Sequence, residues 1–219
     1  MTIKEAMYDR HMVRKYNDKE IPHDLIKKLN ERITRLNEEY GLSIKLITNN
    51  NKGINIIARL ILAKGVRNYF ILAGDKSDDL VEIIGYCGAD LMLYAQTLGL
   101  NTWYIGGMFN KGVSKFVKGK HPIGVIAVGY GQTQGTLHKM KEVNEVSNYK
   151  GEMPEWFLEG IKASLYAPTA FGKLDYVIMG EENKVLIKNN NGVFTGVNRG
   201  LIKYHFELGA GKENFEWVE

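Results

Sequence analysis

A cluster of basic side chains near the start of the chain could bind an anion. The segment Arg10-His11-Met12-Val13-Arg14-Lys15-Tyr16 contains two guanidinium groups, an imidazole and an ammonium group. Guanidinium offers paired donors whose geometry matches phosphate oxygens. If the segment is extended, a period of two places Arg10, Met12 and Arg14 on one face. The cluster is therefore compatible with a phosphate site, or with an ordinary solvated basic surface.

Two further segments are built from small residues that leave the backbone accessible. Ile105-Gly106-Gly107 follows a predicted strand, and Tyr166-Ala167-Pro168-Thr169-Ala170 ends a predicted helix, because Pro168 disfavours helix at Ala167. Each segment alone is typical of a tight turn or a helix stop. Either could also let a flat ring approach the backbone. Together with the arginine cluster, the two segments indicate a flavin site.

A third basic segment follows the predicted strand 124–129. His138, Lys139 and Lys141 lie in a polar stretch, where lysines are normally solvated. The alternative is that they complete a phosphate site as point charges.

Several other classes of site lack their sequence signals. The spacing from Gly129 and Gly131 to Gly135 does not match the dinucleotide fingerprint. Five dispersed histidines and a single cysteine, Cys87, give no metal-binding pattern. No Gly-x-Ser-x-Gly segment is present, so a hydrolase is not indicated. Cys87 stands among apolar residues and is interpreted as a packed thiol.

Composition limits the class of protein. The chain has 219 residues, of which 44% are hydrophobic and 25% are charged, with a net charge of +4. Lys-rich and Glu-rich stretches alternate, so no nucleic-acid partner is predicted. The charged start does not resemble a secretory signal, and the most apolar segment, 81–98, is interrupted by charged residues. These features predict a cytoplasmic protein without a membrane partner.

Hydrophobic periodicity predicts alternating helices and strands. The predicted helices cover 22–39, 81–98, 154–165 and 200–208. The predicted strands cover 43–48, 68–73, 101–105, 124–129, 175–179, 184–187 and 215–217. We therefore predict an α+β fold of the α/β-type, a three-layer sandwich in which a mixed sheet is flanked by helices.

A weak internal repeat suggests a duplication. Gly88 and Gly99 are eleven residues apart, as are Gly200 and Gly211, and an aromatic residue follows each pair after four residues. Either chance or a degenerate duplication explains this spacing. We predict one domain over 1–219, with pseudo-symmetric halves at about 1–131 and 154–219 joined by an irregular crossover, 132–153. Such a chain would imitate a two-fold dimer.

Taken together, these segments resemble the nitroreductase family of FMN-dependent oxidoreductases. The Arg10–Tyr16 segment resembles the family's amino-terminal motif, which grips the FMN phosphate. The stretch 88–107 is similar to its central helix and following strand, where backbone amides of an Ile-Gly-Gly turn lie beside the flavin N5. Residues 125–129 with Lys139 and Lys141 resemble the late strand and the basic pair of the phosphate site.

The loop Ala167-Pro168-Thr169-Ala170 resembles the family's Ala-Pro-Ser-Ala loop, which normally comes early in the chain. Its late position resembles a branch in which one chain supplies what two subunits usually share. The resemblance covers most of the chain and implies electron transfer from NADH or NADPH to a nitroaromatic, quinone or similar small oxidant. It implies that the flavin carries the hydride and that no side chain is catalytic. The implied protein is a monomer or weak homodimer.

The resemblance implies a defined set of FMN-binding residues. They are Arg10, His11, Met12, Arg14, Ile105, Gly106, Gly107, Lys139, Lys141, Ala167, Pro168, Thr169 and Ala170. The chain departs from the family pattern at Met12, where a serine is usual, and at Gly172 and Leu174, where an asparagine and a glutamine are expected. These departures favour an alternative, a non-catalytic flavin-binding or interaction protein that retains the fold.

Overall fold

Helices and strands alternate along most of the chain. The computed structural model describes residues 1–189 and 192–218. Its α-helices are α1 (Ile3–Asp9), α2 (His23–Tyr40), α3 (Ile56–Ile61), α4 (Leu80–Thr97), α5 (Val143–Val146), α6 (Glu155–Ser164) and α7 (Thr195–Ala210). Its strands are β1 (Lys45–Ile47), β2 (Tyr69–Gly74), β3 (Asn101–Ile105), β4 (His121–Gly129), β5 (Ser147–Lys150), β6 (Tyr176–Glu181), β7 (Lys184–Asn189) and β8 (Glu216–Trp217).

The strands form two sheets of four. The first sheet has the order β1-β2-β4-β3 and is antiparallel throughout. The second has the order β5-β6-β7-β8 and is mixed, since β5 pairs parallel with β6, and β7 pairs parallel with β8. The predicted α+β class is confirmed, with the strands divided between two sheets rather than gathered in one.

Helices α4 and α7 cross at very short range in the centre of the molecule. A Cβ atom added to Gly85 of α4 would lie 2.1 Å from the carbonyl oxygen of Val197, and one added to Gly200 of α7 would lie 2.0 Å from that of Glu82. Only glycine can occupy these two positions without moving a backbone. The Nζ of Lys203 also pairs with the Glu82 carboxylate across this crossing.

A buried ion pair ties α2 to this helix pair. The Nε of Arg32 donates to Oδ1 of Asp90 at 2.6 Å, and a second guanidinium nitrogen pairs with Oδ2. The hydroxyl of Tyr204 donates to the same Oδ2 at 2.9 Å. Because Asp90 is buried on α4 and Tyr204 lies on α7, one carboxylate links three helices.

Helix α7 also packs against α6, so it is covered on two sides. A Cβ atom on Gly209 would lie 2.3 Å from the carbonyl oxygen of Glu159, and one on Gly160 would lie 2.6 Å from the Phe206 ring. Aromatic rings fill the space between α6, α7 and the second sheet: Tyr149, Trp156, Phe157, Phe206, Phe215 and Trp217.

Several elements of the structure were not predicted from the sequence. Helix α1 is only seven residues long and depends on a capping box, in which Thr2 and Glu5 exchange side-chain and backbone hydrogen bonds. Helix α3 is also unpredicted. Helix α7 begins at Thr195, five residues before the predicted start, because Gly196 and Gly200 weaken its helical signal. The crossover 132–153 is not wholly irregular, since it contains α5 and β5.

Candidate active site

The basic amino-terminal segment runs beside the first sheet. The N–H of Val13 donates to the Thr102 carbonyl at 3.1 Å, and the N–H of Tyr16 donates to the Lys64 carbonyl at 2.8 Å. Arg10, Val13 and Tyr16 are buried, whereas Met12 and Arg14 are exposed. The predicted common face therefore holds for Met12 and Arg14, which are exposed on either side of the buried Val13, and is wrong for Arg10. The contacts of the segment are isolated bridges rather than a continuous ladder, so its side chains do not alternate regularly.

Arg10 is buried without a partner for its charge. The residue is 5% exposed, and its Nε atom has no hydrogen-bond partner. None of the ion pairs within residues 1–189 and 192–218 involves it. Burial lowers the pKa of the guanidinium to about 10. A buried unpaired charge is costly, so this position is suited to an anion supplied from outside the chain.

Two histidines, the buried His205 and the partly buried His138, share the electrostatic environment of Arg10. Burial lowers the pKa of His205 to about 3 and also lowers that of His138, and the positive charge of Arg10 contributes to both shifts. Interaction with His11 also lowers the pKa of His138. The Nδ1 of His205 lies 2.8 Å from the Leu201 carbonyl, which leaves Nε2 without a partner. Three of the five dispersed histidines, His11, His138 and His205, are thus linked to one another or to Arg10 by electrostatic interaction.

Arg14 occupies a different environment from Arg10. Its guanidinium carbon lies 5.3 Å from the centre of the Trp103 ring, at an exposed position. This contact is a surface cation–π interaction. Met12 is exposed, and its carbonyl oxygen lies 2.6 Å from where a Cβ of Gly135 would be, so the polar stretch after β4 packs on the amino-terminal segment at Gly135.

The basic stretch 138–141 contacts residues that flank the Ala-Pro-Thr-Ala loop. The Nε2 of His138 lies 2.9 Å from the Leu165 carbonyl, and the Nζ of Lys141 donates to the Leu174 carbonyl at 2.8 Å. Lys139 is exposed. Of the predicted basic pair, Lys141 therefore lies directly against the loop region, and Lys139 faces solvent.

The loop itself is held from two sides. The hydroxyl of Thr169 donates to the Lys173 carbonyl at 2.7 Å, and the N–H of Ala170 donates to Oδ1 of Asn198 at 3.0 Å. Ala167 is buried. Phe171, which follows, has a positive φ of 59° and is 86% exposed. An exposed aromatic residue in this strained conformation is typical of a functional position.

An aromatic ring covers the glycine turn that follows β3. A Cβ on Gly106 would lie 2.9 Å from the Phe194 ring, and one on Gly107 would lie 3.3 Å from it. The rings of Phe194 and Phe171 are in contact, with centroids 6.1 Å apart. Because the two glycines lack side chains, a flat ring can lie directly against this backbone, and Phe194 does so.

A path joins the predicted segments, through an electrostatic interaction at its start and through contacts after that. The charge of Arg10 acts on His138, whose Nε2 lies 2.9 Å from the Leu165 carbonyl and whose Cβ would lie 3.6 Å from a Cβ on Gly172. Phe171, next to Gly172, contacts Phe194, which covers Gly106 and Gly107. The residues fit a cofactor with an anionic end and a flat end. The Nε of Arg10, which has no hydrogen-bond partner, fits the anionic end, and the glycine turn fits the flat end.

Four residues on or beside this path are not among the site residues that the sequence implied: Phe171, Phe194, Asn198 and His205. They lie in the second half of the chain, next to or within α7, and no motif distinguishes them. Within the described residues, no group of three His, Cys, Asp or Glu side chains is placed to hold a metal ion. No helix in the described part of the chain is long and apolar enough to cross a membrane.

Comparison with known protein families gives one match over nearly the whole chain. Residues 2–210 match the family described as "Putative TM nitroreductase". The chain belongs to this nitroreductase family. No curated protein sequence matches it.

Solved structures of nitroreductases share the fold. A structure from Thermotoga maritima, described as a "putative nitroreductase", aligns with a TM-score of 0.72 at 16% identity, covering 100% of this chain and 89% of the other. One from Desulfovibrio desulfuricans, described as a "putative nitroreductase in complex with fmn", aligns at 0.55 and 13% identity, covering 70% and 99%. A "nitroreductase-like protein" from Streptococcus mutans aligns at 0.55 and 19% identity, covering 69% and 97%.

Proposed function

We propose that the protein is an FMN-dependent oxidoreductase that passes electrons from NADH or NADPH to a nitroaromatic, a quinone or a similar small oxidant. Membership of the nitroreductase family and the FMN complex of the Desulfovibrio desulfuricans relative support the cofactor. The single observation that carries the proposal is the buried, unpaired Arg10 at one end of a path that leads to the Gly106–Gly107 turn.

Arg10 would bind the FMN phosphate. A phosphate oxygen would supply the missing partner of Nε and neutralise the buried charge, so binding would gain from both hydrogen bonding and the relief of an unfavourable charge. His205 would not bind the phosphate directly, because its neutral ring donates from Nδ1 to the Leu201 carbonyl, which leaves Nε2 as an acceptor like the phosphate oxygens. Lys141, held by the Leu174 carbonyl, would add a positive charge nearby.

The Gly106–Gly107 turn would receive the flat ring. When bound there, FMN would supply the hydride and electron transfer between reduced nicotinamide and the oxidant. The contribution of the chain is to hold and cover the ring. The backbone of Gly106 and Gly107 would orient the ring once Phe194, which covers the turn, has moved aside, and Phe171 would supply aromatic surface beside it. No side chain is assigned to proton transfer.

A second candidate, a flavin-binding protein without catalysis, is favoured by one observation. Leu174 is buried where the family pattern has an amide side chain, so it offers packing in place of a hydrogen bond. Asn198 places an amide against the loop at Ala170, which partly offsets this loss.

The two candidates differ in a spectroscopic experiment. The protein is purified, incubated with FMN and freed of excess flavin, and its visible spectrum is followed under anaerobic conditions while NADH or NADPH is added. We expect bound flavin that is bleached by a reduced nicotinamide and recovers when a quinone is added. Bound flavin that neither nicotinamide reduces would favour the non-catalytic candidate. Failure to bind FMN at all would contradict both.

A further inference from the structure

The short helix α3 presents a row of aliphatic side chains to solvent. Ile56, Ile57, Leu60 and Ile61 are all exposed, with exposed fractions of 63% for Ile57 and 78% for Leu60, while Ala58 faces inward. The helix is firmly placed, because the Asn55 side chain caps its first turn by accepting from the N–H of Ala58 at 2.8 Å. A folded protein rarely exposes four neighbouring aliphatic side chains without a use.

The surroundings of this aliphatic face are basic. Residues 44–74 contain no Asp or Glu, and their cations are Lys45, Lys52, Arg59, Lys64 and Arg67. Beside α3, an open cavity of about 480 Å³ is lined by Lys52, Arg59 and Arg67 together with three asparagines, and Asp18 is its one carboxylate. None of the ion pairs in the described part of the chain involves these three cations.

In contrast to the sequence-based prediction of no membrane partner, we propose that this surface docks onto an anionic lipid bilayer. The aliphatic face of α3 would enter the boundary between headgroups and acyl chains, and Lys52, Arg59 and Arg67 would contact lipid phosphates. This pairing of aliphatic side chains with adjacent cations is the chemistry of peripheral membrane attachment. A second copy of the chain fits less well, because a two-fold contact through α3 would bring like charges together.

The proposed surface adjoins the glycine turn of the candidate active site. The N–H of Asn55 donates to the Met108 carbonyl at 3.0 Å, and Ile54 forms a bridge with Phe109. Met108 directly follows Gly107, so the segment that precedes α3 is hydrogen-bonded to the residue that follows the glycine turn. Docking itself depends on α3 and its cations, and not on the proposed flavin chemistry.

Sedimentation with lipid vesicles tests the proposal. The full chain is mixed with vesicles of phosphatidylcholine alone, or of phosphatidylcholine with phosphatidylglycerol, and the bound fraction is measured. We expect binding only to the anionic vesicles, decreasing as salt is added. Two double variants, Ile57→Ser with Leu60→Ser and Arg59→Glu with Arg67→Glu, should each weaken partitioning at least about tenfold.

Matched controls separate this surface from general effects. Val193→Ser with Val218→Ser removes two exposed aliphatic side chains elsewhere, and Lys184→Glu with Lys188→Glu makes the same charge change on β7. Both control variants should bind like the original chain. Absence of binding to anionic vesicles, or equal losses in the controls, would overturn the proposal.

The proposal would also be overturned if sedimentation velocity showed self-association that the double variant Ile57→Ser with Leu60→Ser abolishes, because this would identify a second copy as the occupant. FMN content is recorded for every variant. A variant that loses vesicle binding at unchanged FMN content has lost docking alone. If the chain binds vesicles but does not bind FMN, the docking proposal holds although the proposed function fails.

Discussion

Gly85 and Gly200 make reciprocal contacts across the α4–α7 crossing. Gly85 lies against the backbone at Val197, and Gly200 lies against the backbone at Glu82. The two contacts correspond, because Val197 follows Glu82 by 115 residues and Gly200 follows Gly85 by 115 residues. Such an exchange is the signature of a two-fold interface between equivalent elements. We therefore propose that the halves 1–131 and 154–219 derive from a duplication. The repeat in the sequence makes Gly88 and Gly200 equivalent positions of the two halves, whereas the helix packing makes Gly85 and Gly200 equivalent.

We expect Gly200→Ala to destabilise the protein by at least about 2 kcal/mol, because a methyl group cannot fit against the Glu82 carbonyl. Chemical denaturation measures the free energy of unfolding. Gly192→Ala is the control, since its nearest neighbour would be 3.7 Å away at the Thr195 hydroxyl. Equal small effects at the two positions would mean that the helices separate easily.

The buried carboxylate of Asp90 should matter far more than an exposed one. Asp90→Ala leaves the Arg32 guanidinium and the Tyr204 hydroxyl without their partner, so we expect a loss of about 3–5 kcal/mol in the free energy of unfolding. Asp75→Ala breaks the exposed pair with Lys120 and should cost less than about 1 kcal/mol. Thermal and urea unfolding of both variants provide the comparison. A similar cost for the two substitutions would contradict the proposed role of Asp90 in linking three helices.

Replacing Arg10 should separate ligand binding from stability. We expect Arg10→Met to leave the thermal unfolding temperature of the FMN-free protein unchanged or higher, because a buried unpaired charge is removed. It should weaken FMN binding by about tenfold to a hundredfold through loss of charge-assisted hydrogen bonds.

Arg14→Met is the control for Arg10→Met, since Arg14 lies exposed over Trp103 and should affect FMN binding much less. Fluorescence titration with FMN measures the affinity of both variants. A larger loss in Arg14→Met would move the phosphate site away from Arg10.

Acid should destabilise the protein partly through His205. Its native pKa of about 3 lies below the ordinary value of 6.5, so the unfolded chain binds a proton in this range that the native state does not. The free energy of unfolding should therefore fall as the pH is lowered from about 6.5 toward 3.

In His205→Gln, the fall in stability between these pH values should be smaller, and in the exposed control His121→Gln it should match the original chain. The measurement is a series of denaturation curves across this pH range. If His205→Gln retains the full dependence on pH, the imidazole is not buried in its neutral form.

Phe194 lies where a flat ring would contact the glycine turn. We expect Phe194→Ala to tighten FMN binding severalfold, because the ring no longer has to leave Gly106 and Gly107. Phe171→Ala, which removes the neighbouring exposed ring, is the comparison. Equilibrium titration with FMN measures both. A severalfold weaker affinity in Phe194→Ala would show instead that this ring supports the flavin.

The sequence predicts the elements whose hydrophobic pattern is strong and local. Helix α4 and strand β3 match their predicted bounds to within one residue, because buried apolar runs ended by glycine leave few alternatives. The buried environment of Cys87 follows from the same pattern. Elements that depend on a capping box or on pairing with a distant strand, such as α1 and β5, carry no comparable local signal.

The site was predictable only in part for a similar reason. The family motif identifies Arg10, but neither its burial nor the exposure of Arg14 follows from spacing, since both depend on how the segment lies against Thr102 and Lys64. Phe194 directly precedes α7 and His205 lies within it, both more than 180 residues after Arg10 in the chain. Such long-range contacts are set by tertiary packing.

The uncompensated guanidinium of Arg10 also bears on how long the protein survives in a cell. A molecule that neutralises this charge binds the native state alone, and so reduces the fraction of chains that are open to proteases. Under our proposal, the abundance of the protein would rise and fall with the supply of FMN, without any change in its synthesis.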